Sequence, residues 1–588
     1  MRKLPLLFLL AWLGFQASSH TRLATPDSPQ PTEHIRCDSY PQADFIWPVH
    51  FPVRLSGSFG ELRSRHFHSG VDIRSSNGQV GDKIYAAAAG YVSRIKIEAG
   101  GYGKALYITH PNGYTTVYAH MDRFTDEIET FVKQEQYKRR SFALNIYPPD
   151  TLFAFRQNQY IGRMGNRGRS SGPHLHFEIR HTASEEIINP LCFGLKWYDR
   201  QPPQMYQLKV YELDPDGRLL HTQTLRLYGR DGHYHPAEKT IKIHSPRLAF
   251  AVEVTDKQPT GARNGITELH LLSSGKRLWS WRLQRFSFDH TRYVNARQDF
   301  AERQHSGKRF YRCHRLPGDL MPNTCEGPTD GYLALSENER QSIRIEALDF
   351  NGQTATLSFE VLREEGESPQ NSASFNYILP WKEANLIRQN DIQLYFPENS
   401  LYEDLYLKLS ESDDESSEYY SKVWHVHTPD VPLHRAMQIG IRPGREMDAQ
   451  TAQKAFIAYC RPDGKIVNCG GKWKDGYLLG KNDRLGDYSI QIDSTPPRLQ
   501  ALSFTSNMRG RRRMSFRAYD ETRTASHIEG LQWKAFVDGQ WLLMEYDLKS
   551  RTLYHEFDGS IPPGKHRLVL IVRDAMGNER KFEGEFYF

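Results

Sequence analysis

Hydrophobic and polar residues alternate through much of this chain, a pattern that predicts β-strands separated by frequent turns. The clearest example is the string HLHFE at 174–178, with Gly172-Pro173 marking the turn before the strand. Period-two geometry places His174, His176 and Glu178 on one face and the intervening apolar residues on the other. We therefore expect a mainly β protein, with polar chemistry on one face of this strand.

One stretch departs from this alternation. EIETFVKQEQYKRRSF at 127–142 has the spacing of an amphipathic helix. NIYPPDTLFAF at 145–155 follows it, and its two prolines predict an irregular loop. A helix and a loop are thus expected in the middle of a β-rich region.

Two later segments resemble one another. In 249–272 and in 515–539 an alternating strand ends in an aspartate, a polar loop follows, and Gly-Ile or Gly-Leu starts the next strand. The ends also agree, because 347–361 and 572–588 each contain a strand, an Asp-x-x-Gly turn and a final alternating strand. Two β-sandwiches of the immunoglobulin-like kind are therefore predicted, at 204–363 and at 493–588.

The N-terminus predicts export. Arg2-Lys3, the apolar run LPLLFLLAWLGF and Ala17-Ser18-Ser19 have the order of a secretory signal peptide over residues 1–19. No later stretch is apolar enough to predict a transmembrane segment. The 76 basic and 70 acidic residues leave a net charge of +6, which on 588 residues gives no reason to expect nucleic acid as a partner. We expect an exported protein, periplasmic or associated with the cell envelope.

Six cysteines agree with an oxidising compartment. Cys313 and Cys325 are close enough in sequence to pair locally, as are Cys460 and Cys469, which would leave Cys37 for Cys192. Six cysteines allow 15 pairings in principle, so the sequence leaves the connectivity open. No pair has CxxC spacing, which makes disulfides a better interpretation than a cysteine-ligated zinc site.

The residues that carry chemistry lie in three short strings: HSGVD at 68–72, YAH at 118–120 and HLHFE at 174–178. Gly70 interrupts the first string and an alternating strand follows it, so His68 and Asp72 are predicted on a turn that leads into a strand. Hydrolytic zinc usually has three protein ligands and one open position. Two histidines and one carboxylate supply the three ligands, and two histidines remain for proton transfer and polarisation.

Residues about 56–180 resemble the M23 zinc metallopeptidases, the LytM/lysostaphin-type peptidoglycan endopeptidases. The resemblance is carried by SGSFGELRSRHFHSGVDI, AAAAGYVSRI, GYGKALYITHPNGYTTVYAHM and IGRMGNRGRSSGPHLHFEIR. It implies a small antiparallel β-sheet domain with an open groove, in which Zn2+ is held by His68, Asp72 and His176. It also implies hydrolysis of a peptide bond by zinc-activated water, with His120 and His174 as catalytic residues.

The resemblance does not decide between the two catalytic histidines. We favour His174 as the base on the water side and His120 as the group that stabilises the oxyanion. Glu178 is a further candidate for proton transfer or for support of a ligand. The insertion at about 125–155 departs from the compact family pattern, and it is either a wall or lid of the groove or a surface decoration.

The length indicates three or four domains. The predicted order along the chain is a signal peptide (1–19), an N-terminal segment (20–50), a peptidase domain (51–200), an immunoglobulin-like β domain (204–363), a β-rich domain (378–491) and a second immunoglobulin-like β domain (493–588).

Three functions from different classes fit the sequence. The first is an exported zinc metalloendopeptidase that cuts peptide cross-links or stems of peptidoglycan. Without wall-sorting or lipoprotein signals, a Gram-negative setting is expected, for which the family implies cross-links such as D-alanyl–diaminopimelate. The second is a non-catalytic peptidoglycan-binding regulator on the same fold, although such relatives typically lose ligand or catalytic residues and this chain retains all five. The third is a scaffold whose C-terminal β domains bind protein or glycan partners.

Overall fold

A computed structural model describes residues 37–197, 199–258, 261–322, 324–371, 373–412, 419–524 and 530–588. The predicted signal peptide (1–19) and the first part of the predicted N-terminal segment lie outside the described residues. The chain is mainly β and its sheets are largely antiparallel, which confirms the predicted fold class. Within the described ranges, no helix is both long enough and apolar enough to cross a membrane.

The first part of the chain forms one main antiparallel sheet, in the order β1–β2–β11–β6–β5–β4–β8, with β3, β10 and β7 in a smaller sheet. The strands of this part, numbered β1 to β12, are Leu55–Gly57, Val71–Arg74, Lys83–Tyr85, Gly90–Ile97, Lys104–Thr109, Tyr114–Ala119, Arg123–Phe124, Leu144–Ile146, Ala154–Phe155, Tyr160–Arg163, His174–His181 and Ile187–Ile188.

The second part is built around a large sheet with the strand order β18–β17–β13–β14–β15–β26–β25–β19–β20–β23. Its strands, numbered β13 to β26, are Gln204–Leu213, Leu219–Arg230, His233–Pro236, Thr240–Ile243, Arg247–Lys257, Arg263–Asn264, Glu268–Ser273, Lys276–Arg282, Arg285–Phe286, Phe310–Arg312, Cys325–Glu326, Leu333–Ala334, Arg340–Leu348 and Thr354–Arg363.

Two further β-rich parts complete the chain, each with paired sheets around its own apolar core. The strands of the first, β27 to β38, are Tyr377–Leu379, Asn385–Gln389, Ile392–Phe396, Leu405–Leu407, Leu409–Ser412, Val423–Val426, Pro432–Ile441, Ala455–Cys460, Ile466–Asn468, Lys472–Lys474, Tyr477–Arg484 and Gly486–Ile492. Those of the last, β39 to β47, are Arg498–Ala501, Arg513–Tyr519, Arg523–Thr524, Gln532–Val537, Gln540–Leu542, Glu545–Asp547, Thr552–Glu556, Lys565–Arg573 and Glu579–Tyr587.

Helices are short and few in the described residues. The α-helices α1 to α4 are Asp126–Arg139, Val294–Arg297, Phe300–Ser306 and Ala449–Gln453, and the 3₁₀ helices are Cys37–Ser39, Pro190–Phe193 and Phe288–Tyr293.

The insertion after β7 contains the helix that the sequence predicts. α1 buries Ile128 and Val132, four residues apart, so one face packs on the sheet while charged residues cover the other. In the second half, the irregular loop expected from the prolines is confined to residues 147–153, between the short strands β8 and β9. β8 and β9 pair with β4 on either side of Pro148-Pro149, because the apolar side chains of β8 fit the half-buried pattern of a strand.

One of the three cysteine pairings considered is formed. A disulfide joins Cys37 to Cys192 and ties the segment before the first sheet to the segment after it. Cys460 and Cys469 remain thiols because the β34–β35 register sets Cys460 opposite Ile466, whereas Cys469 hydrogen-bonds with Ile457. Cys469 therefore lies beside Ile457, three residues along β34 from Cys460. Three residues along a strand span about 10 Å, which is beyond the reach of a disulfide.

Cys313 and Cys325 are also thiols, so the second local pairing is wrong as well. Cys313 follows a strand paired with β17, whereas Cys325 begins a strand paired with β20. The two cysteines therefore belong to different parts of the same large sheet.

Candidate metal centre

Three neighbouring strands bring the predicted site residues together. β11 lies between β2 and β6, and His176 is opposite Asp72 on one side and Ala119 on the other. His120 directly follows Ala119, and His68 lies on the turn that leads into β2. The histidines and the aspartate, which are far apart in sequence, thus meet on one face of the sheet.

His68, Asp72 and His176 form a compact set of donor atoms. Nε2 of His68 lies 3.0 Å from Oδ1 of Asp72 and 3.1 Å from Nδ1 of His176. Nδ1 of His176 lies 3.0 Å from the same Asp72 oxygen. All three side chains are buried and offer one donor atom each to a common point.

The second nitrogen of each of these histidines is engaged elsewhere. Nδ1 of His68 lies 2.7 Å from the carbonyl oxygen of Ser58, and Nε2 of His176 lies 2.8 Å from Oε1 of Glu178. Both acceptors favour the tautomer that leaves the inward nitrogen without a proton. Such outer partners fix the orientation of histidines that ligate metals.

His120 and His174 flank the three donors. Their ring centroids are 4.8 Å apart, and Nε2 of His174 lies 3.4 Å from Oδ1 of Asp72. Nδ1 of His174 donates to the carbonyl of Gly172 at 2.8 Å, and Nδ1 of His120 donates to that of Arg167 at 2.8 Å. Both rings therefore direct Nε2 towards the site.

The backbone of His120 contributes to its position. Its φ is +60°, in the left-handed region that non-glycine residues seldom adopt. Its N–H donates to the carbonyl of Tyr102 at 2.9 Å, and its own carbonyl accepts from the N–H of Arg167 at 3.4 Å. The surrounding loops thus hold His120 in this conformation.

The electrostatics of the site favour a charged carboxylate at its centre. Burial alone would raise the pKa of Asp72, but His68, His174 and His176 together hold that pKa well below its usual range. Burial, together with the neighbouring His174 and His176, lowers the pKa of His120 to about 3. Against the effect of burial, hydrogen bonds to Asp72 and Glu178 raise the pKa of His176 to about 9.

Glu178 is a support of the site rather than a group that faces the open groove. It is fully buried and accepts hydrogen bonds from the Tyr102 hydroxyl at 2.5 Å and from Arg180 Nε at 2.7 Å, besides the bond from His176. Burial would raise the pKa of this carboxyl, but Arg180 and His176 lower it well below its usual range.

Sequence reasoning missed two of the groups around the ligand set. The Tyr102 ring stacks on His176 with centroids 5.4 Å apart, and Arg63 Nη2 lies 3.2 Å from Oδ2 of Asp72. The glycines on either side of Tyr102 mark a turn, but nothing in the string GYGK indicates that its aromatic ring reaches a histidine 74 residues later.

The neighbouring β-rich part braces the loop that carries His68. Phe67 is fully buried and packs against the tilted ring of Phe286 with a centroid distance of 5.7 Å. Its N–H donates to Oγ1 of Thr291 at 3.0 Å. Ser58, whose carbonyl faces His68, accepts through Oγ from the N–H of Gly265 at 3.0 Å. The ligand loop is therefore packed between two parts of the chain.

The last β-rich part lies against the other side of the site. Arg167 forms a hydrogen bond with the Tyr554 hydroxyl and approaches Glu545 at 3.4 Å. On α1, the Tyr137 hydroxyl donates to Oδ2 of Asp558 at 3.2 Å. A cavity of about 830 Å3 lies between α1, the loop around Arg167 and the last sheets. The insertion is thus part of a contact between domains.

Two family models match the chain. The model of peptidase family M23 matches residues 66–137, which include His68, Asp72 and His120 but end before His174 and His176. The model of the Zu5-like domain matches residues 376–493, a range close to that of the β-rich domain predicted at 378–491.

Curated relatives at about 30% identity match about a quarter of the chain. The DD-carboxypeptidase/endopeptidase Mpg of Neisseria meningitidis serogroup B is 31% identical over 148 residues, which cover 24% of this chain and 27% of that protein. The murein hydrolase activator NlpD of Escherichia coli K12 is 30% identical over 155 residues, which cover 26% of this chain and 32% of that protein. The matched part thus spans about a third or less of these relatives.

Solved structures align over a similar share of the chain. A zinc-containing peptidase from Vibrio cholerae is 21% identical with a TM-score of 0.19, over 27% of this chain and 41% of that chain. The catalytic domain of lysostaphin from Staphylococcus simulans is 19% identical with a TM-score of 0.15, over 27% of this chain and 94% of that chain.

Proposed function

The chain contains a domain of peptidase family M23, and on that premise we propose that it is an exported zinc metalloendopeptidase that hydrolyses peptide cross-links or stems of peptidoglycan. The observation that carries the proposal is the set of three buried donor atoms of His68, Asp72 and His176, which lie 3.0–3.1 Å from one another.

This donor set fits zinc. Nitrogen and oxygen ligands at about 2.0–2.2 Å from tetrahedral Zn2+ lie roughly 3.3 Å from one another, close to the distances found here. Two histidines and one carboxylate leave a fourth position, as in hydrolytic rather than structural zinc sites. Bound Zn2+ would supply a Lewis acid that activates water near neutral pH and polarises the scissile carbonyl.

The remaining histidines supply the proton chemistry. His174 is anchored through Nδ1, so its Nε2 lies beside the ligand set in the place where a general base would accept a proton. His120 is anchored in the same way through the carbonyl of Arg167. With a pKa of about 3 this ring is neutral in the free site. Negative charge that develops on the substrate would raise that pKa, so that Nε2 takes up a proton and donates a hydrogen bond to the oxyanion.

Support for peptidoglycan as substrate comes from relatives. One relative is named a DD-carboxypeptidase/endopeptidase, and another is named a murein hydrolase activator. Peptide cross-links between D-alanine and diaminopimelate are the substrate that we propose. The signal sequence at 1–19 and the Cys37–Cys192 disulfide agree with export to the periplasm or cell envelope.

The relatives named as activators support a second candidate function. A chain that binds peptidoglycan without cutting it, and regulates another hydrolase, would also be similar to NlpD. The presence of His120 and His174 beside the ligand set favours the enzyme, because a protein that only binds has no use for two such anchored rings.

The test uses purified full-length chain with intact peptidoglycan sacculi. Zinc-loaded protein should release muropeptides with the masses expected of cross-link or stem cleavage, and a chelator should abolish the release. His174→Ala should keep its zinc and lose at least about 10²-fold in rate. If no chelator-sensitive products appear even after proteolytic trimming of the chain, the enzyme proposal fails. Stimulation of a second hydrolase would then support the activator.

A further inference from the structure

Three buried aspartates meet where the peptidase part joins the first β-rich part. Asp199 lies in the connecting segment, Asp256 near the end of β17, and Asp349 directly after β25. One carboxylate oxygen of each lies within 4.8 Å of those of the other two. Their exposed fractions are only 6%, 2% and 4%, so three like charges share a site of low dielectric constant.

Neighbouring groups satisfy these carboxylates only in part. Nε2 of Gln258 donates to Oδ2 of Asp199 at 2.5 Å and to Oδ2 of Asp256 at 2.9 Å. Oδ1 of Asp256 and Oδ2 of Asp349 are buried and accept no hydrogen bond from any described group. Buried charged oxygens are stable when they are paired or when they coordinate a metal.

The remaining charge is repulsive. The carboxylates of Asp199, Asp256 and Asp349 face one another within 4.8 Å, and like charges at that distance repel. Two orphaned, buried carboxylate oxygens in a cluster of like charges point to a cation as the absent partner.

A second cluster repeats the arrangement at the next domain junction. Asp493, Asp520 and Asp574 also place one oxygen each within 4.8 Å of the others. Asp493 lies between the Zu5-like part and the last β-rich part, as Asp199 lies between the peptidase part and the first.

The turn that holds Asp349 in the first cluster has the same hydrogen bonds as the turn that holds Asp574 in the second. The N–H of Gln353 donates to Oδ1 of Asp349 at 2.9 Å, and the N–H of Asn578 donates to Oδ1 of Asp574 at 2.8 Å. In both turns a glycine with positive φ, Gly352 or Gly577, donates to the carbonyl of that aspartate at 3.3 Å.

Asp199 and Asp493, which lie in the segments that connect the parts, also accept matching hydrogen bonds. The N–H of Gln201 donates to Oδ1 of Asp199 at 3.0 Å, and that of Thr495 donates to Oδ1 of Asp493 at 3.1 Å. The same backbone geometry thus presents two of the three carboxylates at both junctions, although the surrounding sequences differ.

We propose that Asp199, Asp256 and Asp349 bind one Ca2+ ion, which fixes the first β-rich part against the peptidase part. Donor sets made of oxygen select hard cations. Two oxygens bound at about 2.4 Å to one Ca2+ ion lie at most about 4.8 Å apart. Ca2+ also accepts irregular, largely dehydrated sites, whereas Mg2+ keeps several waters that a buried cluster has little room for.

The proposal is independent of peptidase activity, and the test needs no substrate. Full-length protein is stripped of metal on a chelating resin, given one equivalent of Zn2+, and titrated with Ca2+ by calorimetry. Thermal unfolding is measured in parallel. Wild-type protein should bind Ca2+, and its unfolding midpoint should rise by several degrees.

Asp256→Asn is the diagnostic variant. It should bind one Ca2+ fewer per chain and lose most of the Ca2+-induced shift. Asp216→Asn, at an exposed position in the same part of the chain, is the matched control and should behave as wild type.

Three results would overturn the proposal. The first is a wild-type protein that neither binds Ca2+ nor changes its unfolding midpoint when Ca2+ is added. The second is an Asp256→Asn variant that binds as many Ca2+ ions per chain as wild type. The third is an equal rise of the unfolding midpoint with Mg2+ at the same concentration. If Asp256→Asn does not fold, Asp349→Asn replaces it, and the wild-type titration still decides.

Discussion

Oε1 of Glu178 accepts the hydrogen bond from Nε2 of His176 at 2.8 Å, and this bond turns Nδ1 of the ring towards His68 and Asp72. The two residues are two positions apart in β11, so the period-two geometry of a strand puts their side chains on the same face. A carboxylate that holds the outer nitrogen of a ligand histidine fixes its tautomer and increases its basicity.

Replacement of Glu178 by glutamine should therefore weaken zinc binding. We expect a loss of about 10- to 100-fold in affinity, because the neutral amide holds the His176 tautomer less firmly. Competition with a chromophoric chelator measures the affinity directly. Tyr102→Phe, which removes one donor to Glu178 and leaves the carboxylate in place, should have a smaller effect. Equal zinc affinity in Glu178→Gln and wild type would contradict this role.

Gly70 predicts a second sensitive position. A Cβ atom there would lie 2.3 Å from the carbonyl oxygen of Phe177, in the backbone of β11, so the ligand turn would have to move away from the strand. Gly70→Ala should cost about 1–3 kcal/mol in the free energy of unfolding and lower zinc affinity. Urea unfolding and chelator competition measure the two effects.

Gly172 provides the control for this substitution. It lies two residues before His174, yet a Cβ atom there would meet nothing within 4 Å. Gly172→Ala should therefore retain wild-type stability and zinc affinity. Similar losses in the two variants would show that the close approach at Gly70 is not the cause.

The contact between Arg167 and Tyr554 joins the loop beside His120 to the last β-rich part. Tyr554→Phe removes a buried hydroxyl that also donates to Glu545 at 2.7 Å. We expect the contact to be weakened by about 1–2 kcal/mol of free energy. The loop would then open roughly 5- to 30-fold more often, and its amides would exchange faster by the same factor. Hydrogen exchange should accelerate in residues 163–170 while β11 remains protected. Tyr395→Phe, at an exposed position, should change neither segment.

The disulfide between Cys37 and Cys192 should stabilise the peptidase part. The double variant Cys37→Ser/Cys192→Ser should lose about 2–5 kcal/mol in the free energy of unfolding. A reductant should destabilise the wild-type chain in urea unfolding and leave the double variant unaffected. A double variant that still responds to the reductant would place the effect at another cysteine pair.

Local patterns in the sequence were sufficient to predict which residues form the centre of the site. The alternation of HLHFE predicted the shared face of His174, His176 and Glu178, and Gly70 predicted the turn before β2. The spacing of 127–142 predicted α1. Each of these features depends on residues close in sequence, which is why periodicity and turn chemistry reveal them.

Features that depend on register or on distant packing were not predictable. Cys460 and Cys469 are close in sequence, but the β34–β35 register separates them. The aspartates at 256 and 349 were visible as strand-end and turn residues, yet only the fold brings them to Asp199. Tyr102 reaches His176 because β5, β6 and β11 are neighbours in the sheet.

The Arg167 contact also has a consequence for the order in which the protein matures. All five candidate site residues have been synthesised by residue 176, but Glu545 and Tyr554 follow 369 and 378 residues later. The loop whose carbonyl anchors His120 therefore acquires its full set of partners last. A chain interrupted before its final sheets carries every ligand and both catalytic histidines, yet lacks the surface against which that loop is held.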